Sequence, residues 1–103
     1  MKIKTITCKG VKHVVIKDPT FSGVIALPIE DGESPYAKPG NKWSWDGNTE
    51  APTLQPSVQC RQDHFFVQAG VIKFCGDAPH ANAGKEIPMP DLGDLAEFWG
   101  DRP

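Results

Sequence analysis

The stretch that decides the fold is His64-Phe65-Phe66-Val67-Gln68-Ala69-Gly70-Val71-Ile72-Lys73-Phe74-Cys75. Two alternating apolar runs flank Ala69-Gly70, which is the pattern of a β-hairpin. A two-residue loop sets Gln68 opposite Val71, Val67 opposite Ile72, Phe66 opposite Lys73 and Phe65 opposite Phe74. Side chains alternate between faces along a strand, so Phe65, Val67, Ile72 and Phe74 then share one apolar face. A three-residue bulged loop would slip the register by one and bring Lys73 onto that face, which favours the shorter loop. The next pair outward is His64 with Cys75, whose Cβ atoms would lie about 5 Å apart at the open end of the hairpin.

Outward from the hairpin, the rest of the chain also reads as short strands. Lys4 to Cys8 and Val11 to Lys17, punctuated by Lys9-Gly10, form two short strands or one hairpin, and Phe21 to Leu27 is a further apolar strand. Pro28 lacks an N–H and disfavours a central place for the end of that strand. Ile29 to Asn41 is rich in turn formers and reads as the longest loop. Trp43-Ser44-Trp45 alternates, Asp46-Gly47 is a turn signal, and an extended stretch through Pro56 leads to a strand starting at Ser57. Asp91 to Trp99 carries Leu92, Leu95, Phe98 and Trp99 at helical spacing. The expectation is a single mainly β domain over residues 1–103: a small antiparallel sheet or two-layer β roll with a short C-terminal helix. Its expected centre is the 64–75 hairpin together with the Trp43–Trp45 strand.

Composition removes several function classes. Eleven basic and thirteen acidic residues give a net charge of -2, against the positive field that nucleic-acid binding draws on. No apolar run approaches the roughly 20 residues of a membrane span, and no apolar segment follows Met1 as in a secretory signal. The odd set of Cys8, Cys60 and Cys75 argues against a secreted disulfide framework, so a cytoplasmic location in the host cell is expected.

Chemistry concentrates in Cys60-Arg61-Gln62-Asp63-His64 and Cys75-Gly76-Asp77-Ala78-Pro79-His80. Thiolate and imidazole from two local pairs are the usual ligands of tetrahedral zinc, so Cys60, His64, Cys75, Asp77 and His80 are the candidate metal residues. Ordinary packing is the alternative for all of them, and a disulfide is another for Cys60 with Cys75. Asp77 reads equally as a ligand in place of Cys75, an acceptor orienting His80, a base, or a turn former. Four protein ligands make a structural zinc staple, whereas three plus water leave an open position for hydrolysis. The chain has no HExxH motif, no nucleophile elbow and no phosphate-binding glycine loop. Trp43 and Trp45 are read first as core and next as a protein-contact patch.

The order of motifs carries a resemblance. Trp43-Ser44-Trp45-Asp46-Gly47, Ala51-Pro52-Thr53-Leu54-Gln55-Pro56-Ser57-Val58, Cys60 with His64-Phe65-Phe66-Val67, Gly70-Val71-Ile72-Lys73-Phe74, Asp77-Ala78-Pro79-His80 to Lys85, and Ile87-Pro88-Met89-Pro90-Asp91 together resemble a family of small phage and prophage proteins of unknown function. Members often carry the label "ammonia monooxygenase", for which a chain this short offers no basis. The resemblance runs from about Trp43 to Asp91 and implies a polar site at Cys60, His64, Asp77 and His80. That family commonly has no cysteine at the position of Cys75, which favours Asp77 over Cys75 as a ligand. The expected function is a phage- or prophage-encoded accessory module that binds a protein partner and carries a structural zinc. A small zinc-dependent hydrolase with an open metal site is the alternative.

Overall fold

The structure, a computed structural model, describes residues 1–60 and 63–103, and of Cys60 only the backbone. Among the described residues are two antiparallel sheets. The first contains β1 (Ile3–Cys8), β2 (Val11–Lys17) and β3 (Val24–Pro28), in that spatial order. The second contains β4 (Ser44–Trp45), β5 (Leu54–Cys60), β6 (Asp63–Gln68), β7 (Val71–Phe74) and β8 (Glu86–Pro88), also in chain order. A single helical turn, α1 (Leu95–Phe98), follows. No helix among the described residues is long and apolar enough to cross a membrane.

The hairpin register is the one the sequence predicts: Phe65 opposes Phe74, Phe66 opposes Lys73, Val67 opposes Ile72 and Gln68 opposes Val71. Both loop residues have positive φ, 49° at Ala69 and 76° at Gly70, the twist that joins two strands in a tight turn. Gly70 is also closely approached, since a Cβ there would stand 3.0 Å from the Cα of Ala51.

The two sheets share one core. Ile3, Val14, Ile16 and Leu27 from the first pack with Leu54, Val58, Phe65, Val67, Ile72 and Phe74 from the second. Truncating a fully buried phenylalanine such as Phe65 to alanine costs about 3–5 kcal/mol in lost contacts and cavity. The other face of the first sheet is covered too: Ile6, Val15 and Ala26 pack beneath Leu92, Tyr36, Leu95 and Trp99. Being buried on both faces explains why Val14, Val15 and Ile16 of β2 are consecutive apolar residues without alternation.

Three expectations change. The Trp43–Trp45 segment is not central: β4 is an edge strand of two residues, and β6 holds the middle of the sheet. The third strand begins at Val24, not Phe21, because Asp18 Oδ1 accepts the N–H groups of Thr20 and Phe21 and closes a turn that leaves Phe21 exposed. The helix starts late, because Asp91 Oδ1 accepts the N–H of Gly93, whose φ is +55°, and Phe98 on the short helix is exposed. The 29–41 loop is anchored in the second core. His13 Nδ1–H donates to the Val11 carbonyl, the Ser34 hydroxyl donates to His13 Nε2, and Tyr36 packs between His13 and Trp99.

Candidate active site

β5 and β6 are paired with Val58 opposite Phe65, Gln59 opposite His64 and Cys60 opposite Asp63. Further along, Leu54 pairs with Val67, so Gln55, Pro56 and Ser57 stand against Phe66 alone. Extra residues in one strand form a bulge that bends it and re-aims its side chains. Pro56, with no N–H to offer the ladder, lies in this bulge. Val58 and Phe65 point into the core, so alternation turns Ser57 and His64 to the outer face, one diagonal step apart.

Ser57 Oγ lies 3.2 Å from His64 Nε2, and His64 Nδ1 lies 2.9 Å from Asp77 Oδ1. A carboxylate only accepts, so Nδ1 carries the imidazole proton and donates it to Asp77. Nε2 then has a free lone pair and accepts the Ser57 hydroxyl proton. Asp77 reaches this position because the Cys75 N–H donates to the His64 carbonyl at 2.9 Å, extending the hairpin by one step. The Ala78 N–H then donates back to the Cys75 carbonyl at 3.1 Å and turns the chain over His64. The His64 side chain is 21% exposed and that of Asp77 is 68% exposed, so the pair meets solvent from the carboxylate side.

Beneath the histidine lies a second carboxylate. Asp63 is fully buried and accepts from the Thr20 hydroxyl, from His80 Nε2–H and from the backbone N–H of His64. No polar side-chain atom buried among the described residues lacks a partner.

A serine hydroxyl, a histidine and a carboxylate linked in that order is the arrangement by which hydrolases activate serine, and it is recognised by geometry, not chain order. A family model described as "bacterial ubiquitination-like system serine protease (BubE)" matches residues 23–75, just over half of the chain. The chain belongs to the BubE family. No curated protein and no solved structure matches it. The matched segment contains Ser57 and His64, and Asp77 lies just beyond its end.

In this BubE-family chain the residues expected to hold zinc are divided. His64, Cys75 and Asp77 do come together: each offers one ligand atom, and these atoms lie within 4.8 Å of one another. His80 stands apart, with Nε2–H on Asp63 and Nδ1 accepting the Asn82 N–H, its ring set edge-on against Phe74. The side chain of Cys60 lies outside the described residues. Burial pushes the Cys75 thiol above its ordinary value, with Asp77 and then Asp63 adding to the effect. A cysteine so placed holds its proton at neutral pH.

Sequence reasoning did not single out Ser57. The signal was present in the pairing of β5 with β6. Carrying the hairpin logic back one strand, with Cys60 opposite Asp63, brings Ser57 and His64 onto one face. A cleft of about 920 Å³ is lined by Ile25 to Leu27, part of the 29–41 loop, Lys42, Trp43, and Pro56 to Gln59, but not by His64 or Asp77. Ser57 lies in its wall.

Proposed function

We propose that this chain is a serine protease acting in a bacterial ubiquitination-like system, with Ser57 as nucleophile, His64 as general base and acid, and Asp77 as the group that orients His64. The observation that carries this reading is the continuous hydrogen-bonded series Ser57 Oγ, His64 Nε2, His64 Nδ1, Asp77 Oδ1. The family to which the chain belongs supports it independently.

Ser57 Oγ attacks the carbonyl carbon of an amide while its proton passes to His64 Nε2. The imidazolium that results is stabilised by the Asp77 carboxylate on the other ring nitrogen. Nε2 then gives the proton to the departing amine as the carbon–nitrogen bond breaks, leaving an ester on Ser57. Water, deprotonated by the same nitrogen, hydrolyses that ester and restores the hydroxyl. Asp63 touches none of the reacting atoms. It holds the His64 backbone and the loop after Asp77 in place.

Labelling with a fluorophosphonate, read by mass spectrometry, tests the assignment. A single adduct on Ser57, lost in Ser57→Ala and His64→Ala but not on chelation, is the expected result. No adduct, together with one tightly held zinc per chain, would overturn it. The cluster of His64, Cys75 and Asp77 supports that second reading, a zinc staple or zinc hydrolase. The two readings compete for the same nitrogens, since His64 can ligate a metal only by giving up Ser57 or Asp77. A role in binding a protein partner fits either reading, because a protease must hold its substrate.

A further inference from the structure

We propose that the groove beside Ser57, walled by Trp43, Pro56 and Phe66, is a subsite for a large apolar side chain of an extended peptide, close to the bond that is cut. The use of this groove in cleavage rests on the protease reading above.

Phe66 is 49% exposed. Its place in β6 explains why: it alternates with the buried Phe65 and Val67, so it shares the outer face with His64. The other exposed phenylalanines, Phe21 and Phe98, lie in a turn and on the helical turn, and neither lines the groove. Phe66 is the one residue of β6 set against the bulge that carries Ser57. Around it is a groove of about 700 Å³ whose exposed surface is more apolar than polar: Trp43, Pro56 and Phe66 line it, with Ser44, Thr53, Gln55 and Gln68 among them. That volume lies within the range of small-molecule and side-chain pockets. It also accommodates a side chain together with a short length of backbone.

The groove is tied to the nucleophile at two points. Pro56 lines it and immediately precedes Ser57, and the Trp43 indole N–H donates to the Ser57 carbonyl at 3.3 Å. A side chain seated against Trp43 and Phe66 therefore lies a fixed step from the reacting hydroxyl.

Charge decides which side chain fits. Lys42 and Lys73 stand at the rim, but Lys42 pairs with Asp31 at 3.0 Å and Lys73 with Glu86 at 3.6 Å. With counter-ions already present, the lysines offer little net attraction to an acidic residue. Covering Phe66 and Trp43 with apolar surface is the favourable term that remains.

The test uses the full chain carrying Ser57→Ala, which binds without turnover, and capped pentapeptides of sequence Ala-Ala-X-Ala-Ala with X as leucine, phenylalanine or aspartate. Binding is followed by amide and indole NMR shifts. The leucine and phenylalanine peptides are expected to shift Trp43, Phe66 and Lys73, and to bind roughly tenfold more tightly than the aspartate peptide, the scale set by burying one such side chain. Phe66→Lys, a substitution at an exposed position, is expected to abolish that difference. Equal binding of all three peptides, shifts confined to other surfaces, or an unchanged preference in Phe66→Lys would overturn the subsite. Fluorophosphonate labelling of the wild-type chain reports separately on the protease reading. Labelling without groove binding removes the subsite alone, and groove binding without labelling removes the protease alone.

Discussion

His80 Nε2 donates to the buried Asp63 carboxylate at 2.9 Å, and the same Oδ1 accepts the backbone N–H of His64 at 2.9 Å. One buried group therefore fixes both the start of β6 and the loop that follows Asp77. A donor left without its acceptor in a buried setting costs about 1–3 kcal/mol. Asp63→Ala strands three donors: the Thr20 hydroxyl, His80 Nε2–H and the His64 amide. A loss of roughly 3 kcal/mol or more in urea denaturation is expected, within the range for breaking a buried polar pair. An unchanged midpoint would show that the network contributes nothing to stability.

Ser57→Ala should leave folding intact, because the side chain is only partly buried and makes one long hydrogen bond. Amide hydrolysis should fall by at least about 10³-fold, the scale seen when a serine triad loses its nucleophile. His64→Ala should cost about as much, and the double variant no more than either alone, since the two act as one unit. Activity loss that adds across the pair would mean that Ser57 and His64 serve separate steps.

Asp77→Asn is the subtler variant. It keeps the shape but replaces an acceptor-only group with an amide that can present an N–H to His64, favouring the wrong tautomer. Such a change costs about 10⁴-fold where the carboxylate is buried. Here the carboxylate is 68% exposed, so water screens its charge and can replace it in part. A loss of about 10²- to 10³-fold in kcat, with KM little changed, is expected from that screening. An effect confined to KM would assign Asp77 to substrate binding instead.

Much of this architecture is legible in the sequence. The hairpin register follows from keeping Lys73 off an apolar face, and the 3.6-residue spacing marks the segment that holds α1. What was not legible depended on single local hydrogen bonds. The Asp18 turn delayed β3, and the Asp91–Gly93 turn shortened α1; neither alters the apolar pattern from which elements are read. At the site, His64 and Asp77 are legible as a histidine and a carboxylate near a hairpin end, but with cysteines beside them their spacing matches zinc ligands equally well. Ser57 has no local motif. Its place beside His64 arises from a bulge in β5 and a diagonal across two strands, information that lies in pairing and not in spacing along the chain.

Cys75 separates the triad from the metal reading. Burial raises its thiol above the ordinary value, and the Asp77 and Asp63 carboxylates raise it further, because each disfavours a second negative charge nearby. Alkylation by iodoacetamide should therefore be slow at neutral pH and climb only as pH passes the usual thiol range. Asp77→Asn should speed it by removing one of the charges. The same shift sets the direction of a stability effect. The folded chain holds the thiol proton more tightly than the unfolded chain, so stability falls as pH rises above the ordinary thiol value, and Cys75→Ser flattens that decline. On the proposed protease reading Cys75 only neighbours Ser57, His64 and Asp77, so Cys75→Ser should keep activity within a few-fold of wild type and chelation should change nothing. A thiol that alkylates quickly only after chelation, together with activity lost in Cys75→Ser, would instead identify it as a thiolate ligand and return the site to zinc.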